Sequence, residues 1–257
     1  MLKRRFICTN TTIGILSAIY DAWKMDRTDT EAGIPLWGTV QHEMFSEYYE
    51  VEENERKAGA VRKLIRERLG KQAYSDISYA ILSKDEDKGT AILQTMVAAR
   101  ELADSHRIME HLSHPAVRRV FEMSRNVGRE AHYWEEFLRF REMKPKILYA
   151  EITPQNQVLP AIADHFADRF PLEDFVIYDK NHASYMIHPR QKKWMFMTDH
   201  EQKWEAAKEL SEEEEAWCTL WKGFRKSISI KDRENKKLQT QNMPLRYRGD
   251  MPEYGKS

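Results

Sequence analysis

The sequence predicts an α+β fold, with a helix-rich N-terminal two-thirds and a small mixed or antiparallel sheet in the C-terminal half. Apolar residues recur at helical spacing over most positions before Pro145. After Pro145 the pattern changes to short aromatic and β-branched runs separated by turn residues, with one helix after the first run. The expected order in this half, β-α-β-β-β, is typical of a helix layer packed on a sheet.

The N-terminal part is predicted to consist of one short strand followed by helices. The strand is expected at residues 4–8, and Thr12 is expected to cap the helix that follows it. Asn54 suits the cap of a helix over about 55–70, which Gly70 is expected to end. Further helices are predicted at 75–83, at 86–103 and, starting with Pro115, over about 27 residues up to Pro145.

The C-terminal part carries the predicted strands, at 147–152, 174–178, 183–188 and 193–198, and a helix at 157–170. Ser211 and Glu214 form a capping box for a last helix. We therefore expect one α+β unit over residues 1–230, helical over about 1–145 and α/β over about 146–230, followed by a basic tail at 231–257.

Composition excludes several classes of protein. No segment approaches the ~20 consecutive apolar residues of a membrane-spanning helix, so we expect no membrane association. Cys8 and Cys218 are the only cysteines, which favours a reducing, cytoplasmic location and excludes a cysteine-rich zinc site or an iron–sulfur cluster held by this chain alone. No phosphate-binding glycine loop or nucleophile elbow is present. We expect no cofactor and no metal site.

The charges are distributed unevenly although the formal net charge is +0. Residues 201–215 hold seven acidic and two basic residues, whereas residues 222–248 hold nine basic and two acidic ones. The net charge of the whole chain conceals this pattern of an acidic block followed by a basic block.

The basic block contains the residues that we predict to contact nucleic acid. Cations bind phosphates, and an aromatic ring between two guanidinium groups can stack on an exposed base. The alternative is that the cations only neutralise the preceding glutamates in a surface network. The predicted contact residues are Lys231, Arg233, Lys236, Lys237, Arg246, Tyr247 and Arg248.

Two further interpretations remain open. Trp217, Trp221 and Phe224 could anchor a protein partner, although core packing is expected for at least two of the three. Glu130 and His132 are weak candidates for acid–base catalysis on a base or nucleotide, and surface ion pairs along the helix are the favoured alternative. Because no nucleophile or metal set completes such a site, independent catalysis is not expected.

The histidines give no further site. In the segment SHRIMEHLSHP, His106, Glu110, His111 and His114 fit no named metal motif and are interpreted as part of a solvated loop between helices. The scattered residues His182, His188 and His200 are expected to lie on the surface.

Four stretches of the chain carry a family resemblance: FICTNTTIGILSAIYDAW at 6–23, EAHYWEEFLRFRE at 130–142, ILYAEITPQNQVLPAIADHFADRF at 147–170 and residues 220–254. Together they resemble the DUF4130 family, which is linked to DNA metabolism and repair. The most specific part is the closing pattern N-x-x-L-Q-x-x-x-M-P-x-R-Y, which here is formed by Asn235, Leu238, Gln239, Met243, Pro244, Arg246 and Tyr247. At residues 8–10 the chain has Cys-Thr-Asn, where relatives more often have Tyr-Asp-Gly.

The resemblance implies a role beside partner proteins. Members of the family occur next to a radical-SAM protein, and some are fused to a uracil-DNA glycosylase-like domain, which we expect here as a separate polypeptide. The implied partners are DNA, a radical-SAM protein and a uracil-DNA glycosylase-like protein. No catalytic residue follows from the resemblance.

Overall fold

The computed structural model describes residues 2–40, 43–144, 146–198, 209–228, 235–251 and 254. It confirms the predicted α+β class, with helices in the N-terminal part and a five-stranded mixed sheet in the C-terminal half. The chain divides into two compact units, residues 1–129 and residues 130–257. This boundary lies earlier in the chain than Pro145, where the sequence pattern changes from helical to α/β. None of the described helices combines the length and apolar character needed to cross a bilayer.

The first unit contains a parallel pair of strands and a set of helices. The strands are β1 (Lys3–Ile7) and β2 (Ser46–Glu50), and β2 was not predicted. The helical segments are α1 (Thr12–Met25), α2 (Glu55–Leu64), a π-helix (Ile65–Leu69), α3 (Gly70–Ile81), α4 (Lys88–Ala99), a 3-10 helix (Ser105–Glu110) and α5 (Pro115–Phe137), which continues into the second unit.

Side-chain caps define the first helices of this unit. Thr11, and not Thr12 as predicted, caps α1, because its Oγ1 accepts a hydrogen bond from the Gly14 backbone N–H at 2.9 Å. Asn54 caps α2 as predicted, and its Oδ1 accepts from the backbone N–H groups of Arg56 and Lys57. The inward faces of these helices form one core with β1.

Gly70 ends the helical run of residues 55–69, as predicted, but a second helix, α3, starts at the same residue. The π-helix precedes it and α3 starts at it. Its φ of 86° is in the left-handed region, which glycine adopts without the steric cost of a Cβ atom. The chain therefore changes direction at this point and continues directly as a helix.

The second unit is built on one sheet with the strand order β3-β4-β5-β6-β7. The predicted strands and the predicted helix are confirmed as β4 (Ile147–Ile152), α6 (Leu159–Arg169), β5 (Phe175–Asp179), β6 (Ser184–His188) and β7 (Met195–Thr198). The C-terminal helices are α7 (Glu212–Ile228), α8 (Lys236–Asn242) and α9 (Leu245–Arg248). The pair β4–β5 is parallel and is connected by α6, whereas the other pairs are antiparallel.

The long helix α5 ends at Phe137, well before the predicted end at Pro145. Residues 141–143 instead form β3, in which Arg141 pairs with Tyr149 and Met143 with Ile147. Pairing with β4 supplies the backbone hydrogen bonds that a continued helix would otherwise provide.

The parallel pair places two loops at one edge of the sheet. Residues 153–158 follow β4 and residues 180–183 follow β5, so both loops start at the carboxyl ends of adjacent strands. In open sheets of this kind, ligands bind outside the carboxyl ends of the parallel strands. Asp250 also reaches this edge, where its carboxylate accepts hydrogen bonds from Thr153 and Lys180.

Two glycines of the first unit should respond in opposite ways to substitution by alanine. Gly70→Ala should lower the free energy of unfolding by about 1–2 kcal/mol, because φ is positive and the added Cβ would lie 3.1 Å from His106 Nδ1. Gly59→Ala should raise it by about 0.5–1 kcal/mol, because Gly59 is inside α2 with nothing within 4 Å of the added atom. Urea denaturation of the variants and the wild type measures both, and equal effects would contradict the proposed strain at Gly70.

Candidate nucleic-acid interface

The C-terminal segment, residues 235–251, forms two short helices. Asn235 caps α8 by accepting a hydrogen bond from the Leu238 backbone N–H at 3.0 Å. Met243 and Pro244 separate the two helices, and α9 follows at Leu245–Arg248. This is the region in which the sequence predicts contact with nucleic acid.

Tyr247 anchors the segment in the core of the second unit. Its side chain is 1% exposed and packs against Trp134, Tyr133 and Phe137, with ring centroids 4.8, 5.3 and 5.5 Å away. Burial raises the pKa of the Tyr247 phenol to about 12, because the charged phenolate would lose its hydration in the core. The predicted base-stacking role does not fit this position, because the side chain is buried and a base cannot reach the ring.

Asp250 and Met251 add two more attachments. Met251 is buried in the same core as Tyr247. The Asp250 carboxylate accepts hydrogen bonds of 2.5 Å from the Thr153 hydroxyl and from the Lys180 ammonium group. Thr153 follows β4 and Lys180 follows β5, so the described part of the C-terminal segment is tied to the carboxyl ends of the parallel strands and packs as part of the unit.

The described cations of the segment do not pair with carboxylates. Lys236, Lys237 and Arg246 are exposed. Arg246 lies over the Tyr247 ring at 4.6 Å and donates to the Tyr247 hydroxyl. Arg248 is half-buried, donates to the Met243 carbonyl at 3.2 Å and lies 5.2 Å from the Tyr254 ring. None of the four forms an ion pair with an acidic residue of the described chain.

The alternative of neutralisation by the preceding glutamates receives no support from the described residues. Glu209, from the acidic block, pairs with Lys144 at 2.5 Å. Lys231 and Arg233, two of the predicted contact residues, lie outside the described residues, as do residues 201–208 of the acidic block.

An Asp–His pair at the same sheet edge was missed by sequence reasoning. The Asp179 side chain is 1% exposed, and its Oδ2 lies 2.7 Å from Nδ1 of His182, whose side chain is 24% exposed. Asp179 also accepts hydrogen bonds from the backbone N–H groups of Asn181 and His182. A buried carboxylate in this position orients the imidazole. The turn sequence Asp-Lys-Asn-His directly after a buried strand was the available signal.

Glu130 has a structural role that the sequence did not indicate. Its buried carboxylate accepts hydrogen bonds from the Gln155 and Asn156 backbone N–H groups, both at 2.9 Å, and from the Asn156 amide at 2.6 Å. Glu130 therefore holds the loop after β4. His132 is exposed and pairs with Glu135 and Glu136 on the helix surface, which agrees with the favoured alternative. Glu130 and His132 therefore contact different groups and do not form one acid–base site.

The remaining histidine predictions have mixed outcomes. His188 is buried, not on the surface: its Nδ1 lies 3.1 Å from the Glu173 carbonyl, and its ring stacks on Phe175. His200 lies outside the described residues. Within the described ranges, no group of three His, Cys, Asp or Glu residues is placed to hold a metal ion.

Helix α7 exposes its apolar face, contrary to the expectation of core packing. Trp217, Leu220, Trp221 and Phe224 are 68, 63, 50 and 52% exposed. Their spacing of three and four residues places them on one side of the helix. The capping box is confirmed, because the Glu214 backbone N–H donates to Ser211 Oγ at 3.1 Å. Large exposed aromatic clusters mark interaction sites more often than they mark ordinary surface.

We expect Glu130 and His132 to differ strongly in their effect on stability. Glu130→Ala should lower the free energy of unfolding by about 3 kcal/mol or more, because it leaves buried N–H donors without an acceptor. His132→Ala removes only exposed ion pairs and should change it by less than about 0.5 kcal/mol. Urea unfolding followed by tryptophan fluorescence measures the difference. Similar values for the two variants would contradict the structural role of Glu130.

Comparison with known proteins identifies the family. None of the curated proteins matches the chain. The family model described as a domain of unknown function, DUF4130, matches residues 86–253. The matched range begins just before α4 and includes the whole sheet and the C-terminal segment with Tyr247 and Asp250. Because this range covers well over half of the 257 residues, the chain belongs to the DUF4130 family.

Proposed function

We propose that this chain is a DNA-binding accessory protein of DNA metabolism or repair, which contacts the phosphate backbone through its C-terminal segment. One observation carries the proposal: Lys236, Lys237 and Arg246 are exposed on an anchored segment and pair with no carboxylate of the described chain. Lys231 and Arg233, which precede them in sequence, extend the same run of cations.

Anchoring makes the cations suitable for a nucleic acid. A free basic tail must lose conformational entropy when it binds, whereas α8 and α9 are already ordered in the protein. Arg246 and Arg248 are held close to the Tyr247 ring and the Met243 carbonyl, so their positions are partly fixed before a phosphate arrives. In this proposal Tyr247 positions the arginines and does not touch a base.

The proposed partners are a radical-SAM enzyme, a uracil-DNA glycosylase-like protein, or both. The resemblance to DUF4130 relatives found beside such proteins motivates this part of the proposal. The site geometry fits an accessory role, because the buried carboxylate of Glu130 is already used to hold the loop after β4.

A second candidate function is that of a protein–protein adaptor without direct DNA contact. The exposed apolar face of α7, formed by Trp217, Leu220, Trp221 and Phe224, favours it. Clusters of tryptophan and phenylalanine are enriched among the residues that contribute most to binding energy at interfaces. The two functions are compatible, because α7 and the C-terminal segment use different residues.

The salt dependence of DNA binding tests the first proposal. Each phosphate contact adds about 0.9 to the slope of log K against log salt for a duplex and about 0.7 for a single strand. The double variant Lys236→Ala/Lys237→Ala should therefore reduce the slope by about 1.8 on a duplex or about 1.4 on a single strand. Fluorescence anisotropy with labelled oligonucleotides at several salt concentrations measures both.

The matched control is Lys192→Ala/Lys193→Ala, which removes two adjacent exposed lysines from the same unit. It should leave the slope close to the wild-type value. If the Lys236/Lys237 variant keeps the wild-type slope, or if the control lowers the slope by as much, the C-terminal segment does not make the contact.

The adaptor function is tested by capture of the radical-SAM protein in nuclease-treated extract. Trp217→Ala/Trp221→Ala should reduce the captured fraction at least tenfold, because two large anchors of the α7 face are removed. Trp37→Ala is the control, since Trp37 is 52% exposed and lies in the other unit. Loss of capture after nuclease treatment of the wild type would contradict direct docking.

A further inference from the structure

The first unit contains a pocket that the proposed DNA contact does not use. It has a volume of about 530 Å³, within the usual range of small-molecule sites. Helix α1, helix α2, the π-helix, α4 and the 3-10 helix supply its walls. The apolar part of its lining includes Val61, Leu64, Leu69, Met96, Ala99 and Leu102.

Two aromatic residues complete the apolar lining. Tyr20 and Trp23 come from the same end of α1 and are both partly exposed. The Arg100 guanidinium lies 5.9 Å from the Trp23 ring centroid. A planar ligand could therefore contact an aromatic wall and an apolar floor at the same time.

The charged residues of the pocket are all cationic. Lys24, Arg27, Arg68 and Arg100 line it, and no aspartate or glutamate among the residues that the structure describes does. All four are exposed, and none of them pairs with a carboxylate among the described residues. The nearby acids Asp26 and Asp29 are bound by Arg4 instead. Cations around a concave apolar surface concentrate positive potential and attract an anion.

Specific contacts hold the rim in place. Arg100 donates to the Arg27 carbonyl at 2.7 Å, which connects two of the cationic residues. Ser105 Oγ donates to the Arg68 carbonyl at 2.6 Å and fixes the end of the π-helix. Single turns of π-helix occur frequently at functional sites, and this one places Arg68 and Leu69 in the pocket wall.

We propose that this pocket binds a nucleotide, with the base against Tyr20, Trp23 and the apolar floor and the phosphate at the cationic rim. Aromatic faces stack on bases, and guanidinium groups match the geometry of phosphate oxygens. The nucleotide is either free or an unstacked member of a single strand. The lining residues, within the described part of the chain, all belong to the first unit, so the inference does not depend on the C-terminal segment.

Calorimetric titration of the full chain with dAMP, deoxyadenosine and decanoate tests the ligand class. We expect dAMP to bind at least tenfold more tightly than deoxyadenosine, because the rim recognises the phosphate. Decanoate shares the apolar body and the negative charge but lacks a base, and we expect it to bind more weakly than dAMP. Absence of dAMP binding at millimolar concentration, or tighter binding of decanoate, would overturn the proposal.

Arg68→Gln should weaken dAMP binding at least tenfold, and its matched control is Arg66→Gln. Arg66 belongs to the same π-helix, but its guanidinium lies over the Tyr74 ring at 4.5 Å and does not line the pocket. Both residues are exposed, so both variants should fold, and thermal unfolding should show only a small loss of stability in Arg66→Gln from its contact with Tyr74. Unchanged dAMP affinity in Arg68→Gln, or an equal loss in both variants, would rule out recognition at the rim.

A competition experiment then distinguishes the two sources of the nucleotide. The competitors are dTMP and an oligothymidylate, added to the Lys236→Ala/Lys237→Ala variant with dAMP bound. If the oligothymidylate displaces dAMP at a nucleotide concentration at least tenfold lower than dTMP does, the pocket binds a strand. Displacement by dTMP and by the oligothymidylate at equal nucleotide concentration assigns it to a free nucleotide. Failure of both to displace dAMP would contradict a shared nucleotide site.

Discussion

The burial of Tyr247 among the aromatic side chains of α5 is the contact that fixes the position of the cations near the C-terminus. Burying its ring contributes about 2–3 kcal/mol. Burial of Met251 in the same core and the two hydrogen bonds of Asp250 add two more attachments. All three lie within nine residues of Met243, so they hold the end of the segment that carries Arg246 and Arg248.

Much of the sheet could be predicted because its strands carry their own signal. Strands β4 to β6 contain continuous apolar or aromatic runs bounded by turn residues, and their predicted bounds agree with the structure within one residue. Strands β2 and β3 were missed, because Ser-Glu-Tyr-Tyr-Glu and Arg-Glu-Met have no such pattern. Both are strands only because a neighbouring strand offers unpaired backbone groups, which is a tertiary effect.

The candidate site shows a different limit of sequence reasoning. The patterns around Tyr247 and along α7 identified aromatic residues correctly but assigned their exposure the wrong way round. An apolar helix face has the same spacing whether or not another surface covers it, so periodicity cannot decide between a core and an interface. The Glu130 contact joins α5 to the loop after β4, 25 and 26 residues along the chain, so it could not be derived before the packing of α5 was known. The Asp179–His182 pair lies within one turn, so its turn sequence was a local signal.

The balance of charge explains why two cationic regions are informative. With 41 acidic and 41 basic residues, the chain could in principle pair every charge internally. Keeping like charges close together without partners costs repulsion, and that cost is offset when an external anion binds. The two regions differ in shape: the pocket of the first unit is concave with an apolar floor, whereas Lys236 and Lys237 are exposed on a short helix. A concave apolar floor suits a base with its phosphate, and an exposed row of cations suits a phosphate backbone alone.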